Sequence, residues 1–131
     1  MIGIDTNVLI RAFARDEPRQ GASATRLIDG AEAATIFINV IVLVEFAWTL
    51  RRAYKRDNAW IRQAVTQIVR HPAFVIQHRD SVLEAISKSN AVIDGFADRL
   101  IGALNRDAGC ATTMTFDREA ARHRDFRELP S

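Results

Sequence analysis

MIGIDTNVLI, residues 1–10, decides how the rest of the chain is read. Ile2 and Ile4 have the spacing of core residues in a short buried strand over residues 1–5, and Asp5 puts a charge at that strand's end. Thr6 and Asn7 add two more polar groups before an apolar run resumes at Val8. Leu9, Ala12 and Phe13 then fall on one side of a helix over 7–14. A strand that runs straight into a helix begins a βα unit. In parallel α/β sheets, ligands bind just past the carboxyl ends of the strands. Asp5 therefore reads as a functional acid.

Working outward, the alternation continues. Pro18 opens a helix that stops near Gly30. ATIFI, 34–38, is a second strand, and Asn39 can cap a long helix running to about Arg56. Asp57 or Asn58 caps the next, where Ile61, Ala64, Val65 and Ile68 share a face and His71-Pro72 ends it. AFVIQ, 73–77, is a third strand. Ser81 with Glu84 has the spacing of a capping box for a helix to Asn90. Asp94 or Gly95 starts another helix, ending at Asp107 before Gly109. CATTMT, 110–115, is a fourth strand, a helical turn follows Asp117, and RDFREL offers a last edge strand. The pattern predicts an α/β protein, a three-layer α/β/α arrangement around a central, mostly parallel sheet of four to five strands.

The chain has 131 residues, 48% hydrophobic and 26% charged, which predicts a single globular domain over 1–131. Its net charge of +2 permits an anionic partner without requiring one. The lone cysteine, Cys110, reads as a packed core thiol and fits a reducing compartment. No apolar stretch reaches membrane-spanning length, and the N-terminus lacks a basic lead-in. The expectation is a cytoplasmic protein with no membrane association.

Other acids share Asp5's placement. Asp117 follows the fourth strand by two residues. Glu45 interrupts NVIVLVEFAWTL, a helix apolar nearly all round and hence expected to be buried. An ionised carboxylate there needs a cation, a salt bridge or a raised pKa. Asp98 lies among Phe96, Ala97, Leu100 and Ile101, with Asp94 four residues earlier as a helix cap or a further acid. Carboxylates gathered from such positions repel, and a divalent cation resolves the conflict. Oxygen donors suit Mg²⁺ or Mn²⁺. His71, His78 and His123 have no zinc-site spacing and read as surface or packed residues.

IDTNVLI, the helix glutamate in NVIVLVEF, FADRLIGAL and TMTFDREAA, in this order, resemble a PIN domain over nearly the whole chain. The resemblance is closest to VapC-type toxins of bacterial toxin–antitoxin pairs. It implies an endoribonuclease that hydrolyses RNA phosphodiesters with Mg²⁺ or Mn²⁺. Asp5, Glu45, Asp98 and Asp117 match the family's catalytic, metal-binding acids. Asn7 and Thr115 match supporting polar residues, and Thr6 either caps the first helix or joins them. Many relatives read D-F-A-D where this chain reads Gly95-Phe96-Ala97-Asp98, so Asp94 is displaced by one residue and is either a ligand or a cap. Arg11, Arg99 and Arg118 are candidates for substrate phosphates. The resemblance also implies a homodimer and a cognate VapB-like antitoxin that builds a higher assembly, with helices Pro18–Gly30 and Asn39–Arg56 as its candidate groove.

Two alternatives are distinguishable. A non-catalytic PIN-like RNA-binding module would not need the full acidic set. A phospho-acceptor receiver domain needs an Asp at the end of the third strand and a later Lys; His78-Arg79-Asp80 follows AFVIQ, and no Lys follows CATTMT.

Overall fold

The computed structural model describes residues 1–88 and 94–131, with only the backbone of Lys88 and Asp94. The chain divides into two compact units, Met1–Arg79 and Asp80–Ser131. Together they carry an α/β alternation in which every strand pairing is parallel. The five expected strands form two sheets, one of three strands and one of two.

In the first unit, β1 (Ile2–Gly3), β2 (Ile36–Ile38) and β3 (Phe74–Ile76) form a sheet with β2 in the middle. The sheet is joined by α1 (Thr6–Ala14), α2 (Pro18–Asp29), α3 (Val40–Arg52) and α4 (Asn58–Arg70). Local chemistry sets their ends. Asp5, Asn39 and Asp57 each accept a backbone N–H two or three residues into the helix they precede. Pro18 occupies the first turn of α2, with the Glu17 carboxylate accepting from the Arg19 and Gln20 N–H groups. The core is built from Leu9, Ile36, Ile38, Leu43, Phe46, Leu50, Ile61, Val65 and Ile68. Phe13 meets Phe46 edge to face, with centroids 5.6 Å apart. Such a pair adds about 0.5–1.5 kcal/mol beyond the area it buries.

Two expectations change here. β1 is not a buried strand: Ile2 is 50% exposed, because β1 is two residues long and lies at the sheet's outer position. α3 is not buried all round. Val42, Leu43, Phe46, Ala47 and Leu50 face the core, while Ile41, Glu45, Trp48 and Arg52 form an exposed stripe. Their spacing of four, three and four residues is that of one helix face.

In the second unit, α5 (Arg79–Lys88) and α6 (Asp94–Asp107) accompany β4 (Thr113–Thr115) and β5 (Phe126–Glu128), with a 3₁₀ turn at Ala120–Arg122. A Cβ at Gly102 would lie 2.7 Å from the Phe126 ring, so glycine lets α6 approach β5 closely. Arg106 holds this unit together: it donates two hydrogen bonds to the Asp125 carboxylate and one to Glu84. Ser81 donates to Asp107 at 2.6 Å. Ser81 and Glu84 therefore bind α6, and the expected capping box does not form; α5 begins upstream of Ser81, at Arg79. Gly109, at φ 97°, ends the turn after α6 as expected. Cys110 is exposed rather than packed, since β4 starts at Thr113 and leaves residues 110–112 in the connecting turn. The last two residues of the expected helix, Ser89 and Asn90, lie outside the described residues. Among the described residues, no helix is long and apolar enough to cross a membrane.

Candidate metal and nuclease site

Because β1, β2 and β3 are parallel, their carboxyl ends share one edge of the sheet. Asp5 follows β1 at that edge, Asn39 follows β2, and Gln77 follows β3. Gln77 accepts the Val40 N–H at 3.0 Å, which ties the start of α3 to the end of β3. Asp5 Oδ1 accepts the Val8 N–H at 3.2 Å. The carboxylate is thus held by the first turn of α1, whose dipole favours its charge. Thr6 is inside the helix and does not cap it. Its hydroxyl donates to Glu45 Oε1 at 2.9 Å, across 39 residues of sequence. Two acids of the first unit therefore come to the same corner, through a contact that no local pattern reveals. Asn7 is exposed, and its side chain makes no hydrogen bond among the described residues.

Glu45 is exposed, which removes the desolvation cost expected of a buried carboxylate. Arg11 is committed elsewhere. It donates to Gln20 at 2.7 Å, to the Tyr54 hydroxyl at 3.1 Å and to Asp16 at 3.3 Å, joining α1, α2 and the end of α3. Tyr54 also donates to Asp16, and that hydrogen bond, ahead of the nearby Arg11 charge, holds the Asp16 carboxyl below its ordinary value. Arg11 acts here as a structural tie rather than as a free phosphate ligand.

The second unit presents Asp98 and Asp117. Asp98 lies on α6 between the buried residues Phe96 and Leu100 and is half-buried itself. Burial pushes its carboxyl above the ordinary value; the Asp117 charge pushes it further, and His123 offsets part of this. Asp117 follows β4 and organises the next turn. Its Oδ1 accepts the Glu119 N–H at 2.8 Å and the Ala120 N–H at 3.4 Å, while its own N–H donates to Thr115 Oγ1 at 3.0 Å. Thr115 thus positions the backbone of the acid rather than its carboxylate. His123 was read from sequence as a surface or packed residue. It is half-buried near Asp98 and Arg99, and burial, with Arg99 next, pushes its pKa down. Its place six residues after Asp117, beyond a single helical turn, is the only sequence signal for this proximity. Arg99 is half-buried and Arg118 is exposed. The Asp94 side chain lies outside the described residues.

The PIN-domain family model matches residues 2–126. This chain belongs to the PIN-domain family. PIN domains are generally nucleases, and the match runs through all four candidate acids. No curated protein matches the chain significantly. The donor chemistry fits the Mg²⁺ or Mn²⁺ that PIN domains usually use. Among the described residues, Asp5, Glu45, Asp98 and Asp117 have no Lys or Arg at salt-bridge distance. Asp5, Glu45 and Asp117 each engage one carboxylate oxygen internally, and the other has no partner among the described residues. Such oxygens are hard donors suited to these cations. Among the described residues, no three or more His, Cys, Asp or Glu side chains gather into a group that could hold a metal ion.

Proposed function

We propose that this PIN domain is a metal-dependent endoribonuclease, the VapC-type toxin of a type II toxin–antitoxin pair, hydrolysing RNA phosphodiester bonds. The observation that carries the reading is that four acids matching the family's motif positions have no cationic partner among the described residues. The hydrogen bonds made by Asp5, Glu45 and Asp117 use one carboxylate oxygen each, which keeps the other available to a cation. The family match extends across both compact units, which supports treating residues 1–131 as one functional domain.

Asp5, Asp98 and Asp117 are the proposed ligands of Mg²⁺ or Mn²⁺, with Glu45 either a fourth ligand or the base that takes the proton of the attacking water. Bound there, the cation supplies Lewis acidity at the scissile phosphate and lowers the pKa of water. The chain's own groups prepare the acids. The α1 N-terminus fixes the Asp5 rotamer through the Val8 N–H. Thr6 orients Glu45 through Oε1 and leaves Oε2 free. The turn at Glu119 and Ala120 does the same for Asp117. Arg99 and Arg118 remain candidates for substrate phosphates; Arg11, with three internal partners, is a weaker one.

The proposed partners are a VapB-like antitoxin, with the helices over Pro18–Gly30 and Asn39–Arg56 as its candidate groove, and a second copy of the chain, with a higher assembly once the antitoxin binds. Sequencing of cellular RNA ends after induction, parent against Asp5→Asn, tests the activity and identifies the substrate together. New 5′ ends that appear with the parent and vanish with the variant are expected. Identical end profiles for the two proteins would defeat the proposal.

A further inference from the structure

The corner between α3 and α4 has a feature that the acidic site does not use. Of the chain's 18 Lys and Arg residues, four (Arg51, Arg52, Lys55 and Arg56) fall within residues 51–56, with none of its 16 Asp and Glu residues. Without that segment the net charge of +2 becomes −2. Among the described residues, none of the four forms an ion pair. The helix dipole accounts for Arg51 and Arg52, in the last turn of α3. It does not account for Lys55 and Arg56. These sit immediately before Asp57, the N-cap of α4, where the dipole disfavours cations. The segment thus carries more positive charge than the helix ends call for, with Asp57 as the adjoining acid, and an anionic partner would complement it.

Two tryptophans flank the cations at a regular spacing: Trp48, Arg52, Arg56, Trp60. The Arg52 guanidinium lies over the Trp48 ring, 5.2 Å from its centroid, and Arg56 lies 4.6 Å from the centroid of Trp60. Trp48 is 60% exposed, so its ring is not a core residue. An exposed indole with a guanidinium over one face, beside further cations that form no ion pair among the described residues, combines what a single nucleic-acid strand needs: a surface for base stacking and charges for its phosphates.

We infer that this corner is a further binding surface for single-stranded RNA, continuing along the exposed face of α3 past Glu45, with Trp48 as the stacking platform and Arg52, Lys55 and Arg56 as phosphate contacts. The inference rests on the ribonuclease reading for its choice of RNA as the strand. A second copy of the chain is a poorer occupant, since a self-complementary contact would bring two sets of four cations together. A duplex offers no free base faces to the indole.

The test measures binding without cleavage. An unstructured, 5′-fluorescein-labelled RNA of about 12 nucleotides, within the usual span of single-strand sites, is titrated with the full chain in EDTA and followed by anisotropy over a salt series. The parent is expected to bind and to quench its tryptophan fluorescence. Trp48→Ala should weaken binding about tenfold, and Trp48→Phe should restore most of it. Arg52→Gln with Arg56→Gln should lower the slope of log K against log salt by about 1.4, or about 0.7 per phosphate contact. Parental affinity and slope in all three variants would overturn the inference, as would an absence of binding by the parent. So would a change of oligomeric state in Trp48→Ala, by light scattering, with RNA affinity unchanged. Binding as expected in EDTA without cleavage in Mn²⁺ defeats only the nuclease reading. Melting curves of the variants confirm folding.

Discussion

Asp5 and Glu45 in the first unit are fixtures of local structure. One caps α1 and the other accepts from Thr6, and both stand exposed to water. Asp98 in the second unit is held differently. It is half-buried on α6, and burial and the Asp117 charge both oppose its ionisation. Both units bury apolar side chains, Phe46 and Leu43 in the first and Phe96, Leu100 and Val82 in the second, and the second adds polar ties through Arg106 and Ser81. An acid whose carboxyl is raised by burial, and further by a second carboxylate, carries a cost when ionised that a cation would relieve. That pattern is the expected signature of a site shaped for a ligand rather than for folding.

The contrast can be broken in four ways. Phe46→Ala should be the most damaging, since it opens a cavity in the first unit's core. A loss of about 3–5 kcal/mol is expected by denaturant unfolding, and a loss below about 1 kcal/mol would deny the core its assigned role. Adding Mn²⁺ to metal-free protein should raise the melting temperature, by the equivalent of about 2.7 kcal/mol at a hundredfold excess over Kd. Asp98→Ala should abolish that rise, and a rise that survives the substitution would remove Asp98 from the ligand set. Arg106→Met should lower the melting temperature by less than loss of the Mn²⁺ effect does, since it removes the hydrogen bonds to Asp125 and Glu84 from a side chain that is 36% exposed. Thermal unfolding at low and high salt would check this, with a smaller penalty expected at high salt.

The smallest effect is the most diagnostic. The folded-state pKa of Asp98 is raised above its ordinary 3.8. The native state therefore binds this proton more tightly than the unfolded chain, and stability falls as pH rises from about 3.8 through the raised value. In EDTA, Asp98→Asn should be more stable than the parent at pH 7 and no more stable at pH 3. A lower melting temperature for Asp98→Asn at pH 7 would show that Asp98 is a structural acid.

Much of the fold was legible because its determinants are local. Asn39, Asp57 and Pro18 start their helices as their chemistry predicts, and the apolar stripe from Ile61 to Ile68 is buried. Reading failed where a partner lay far along the chain. Ser81 and Glu84 have capping-box spacing, yet both bind α6 about twenty residues or more away. Thr6 looked like a cap and instead reaches Glu45, while Asp5 takes the capping role. Composition also misled in α3. An apolar letter does not tell which way it points, and Ile41 and Trp48 point outward beside Glu45. The candidate acids stand out in the sequence because their placement after strands, or in otherwise apolar helices, can be read without knowledge of the contacts.

Asp5 offers the cleanest test of the nuclease assignment, because asparagine caps a helix about as well as aspartate and removes only the charge. Cleavage of a fluorophore–quencher single-stranded RNA by purified protein, parent against Asp5→Asn, in Mn²⁺ and in EDTA, separates chemistry from folding. The account predicts cleavage by the parent in Mn²⁺ alone, with a loss of at least ~100-fold in Asp5→Asn at an unchanged metal-free melting temperature. Parental rates from Asp5→Asn, or equal cleavage by the parent in EDTA, would contradict it.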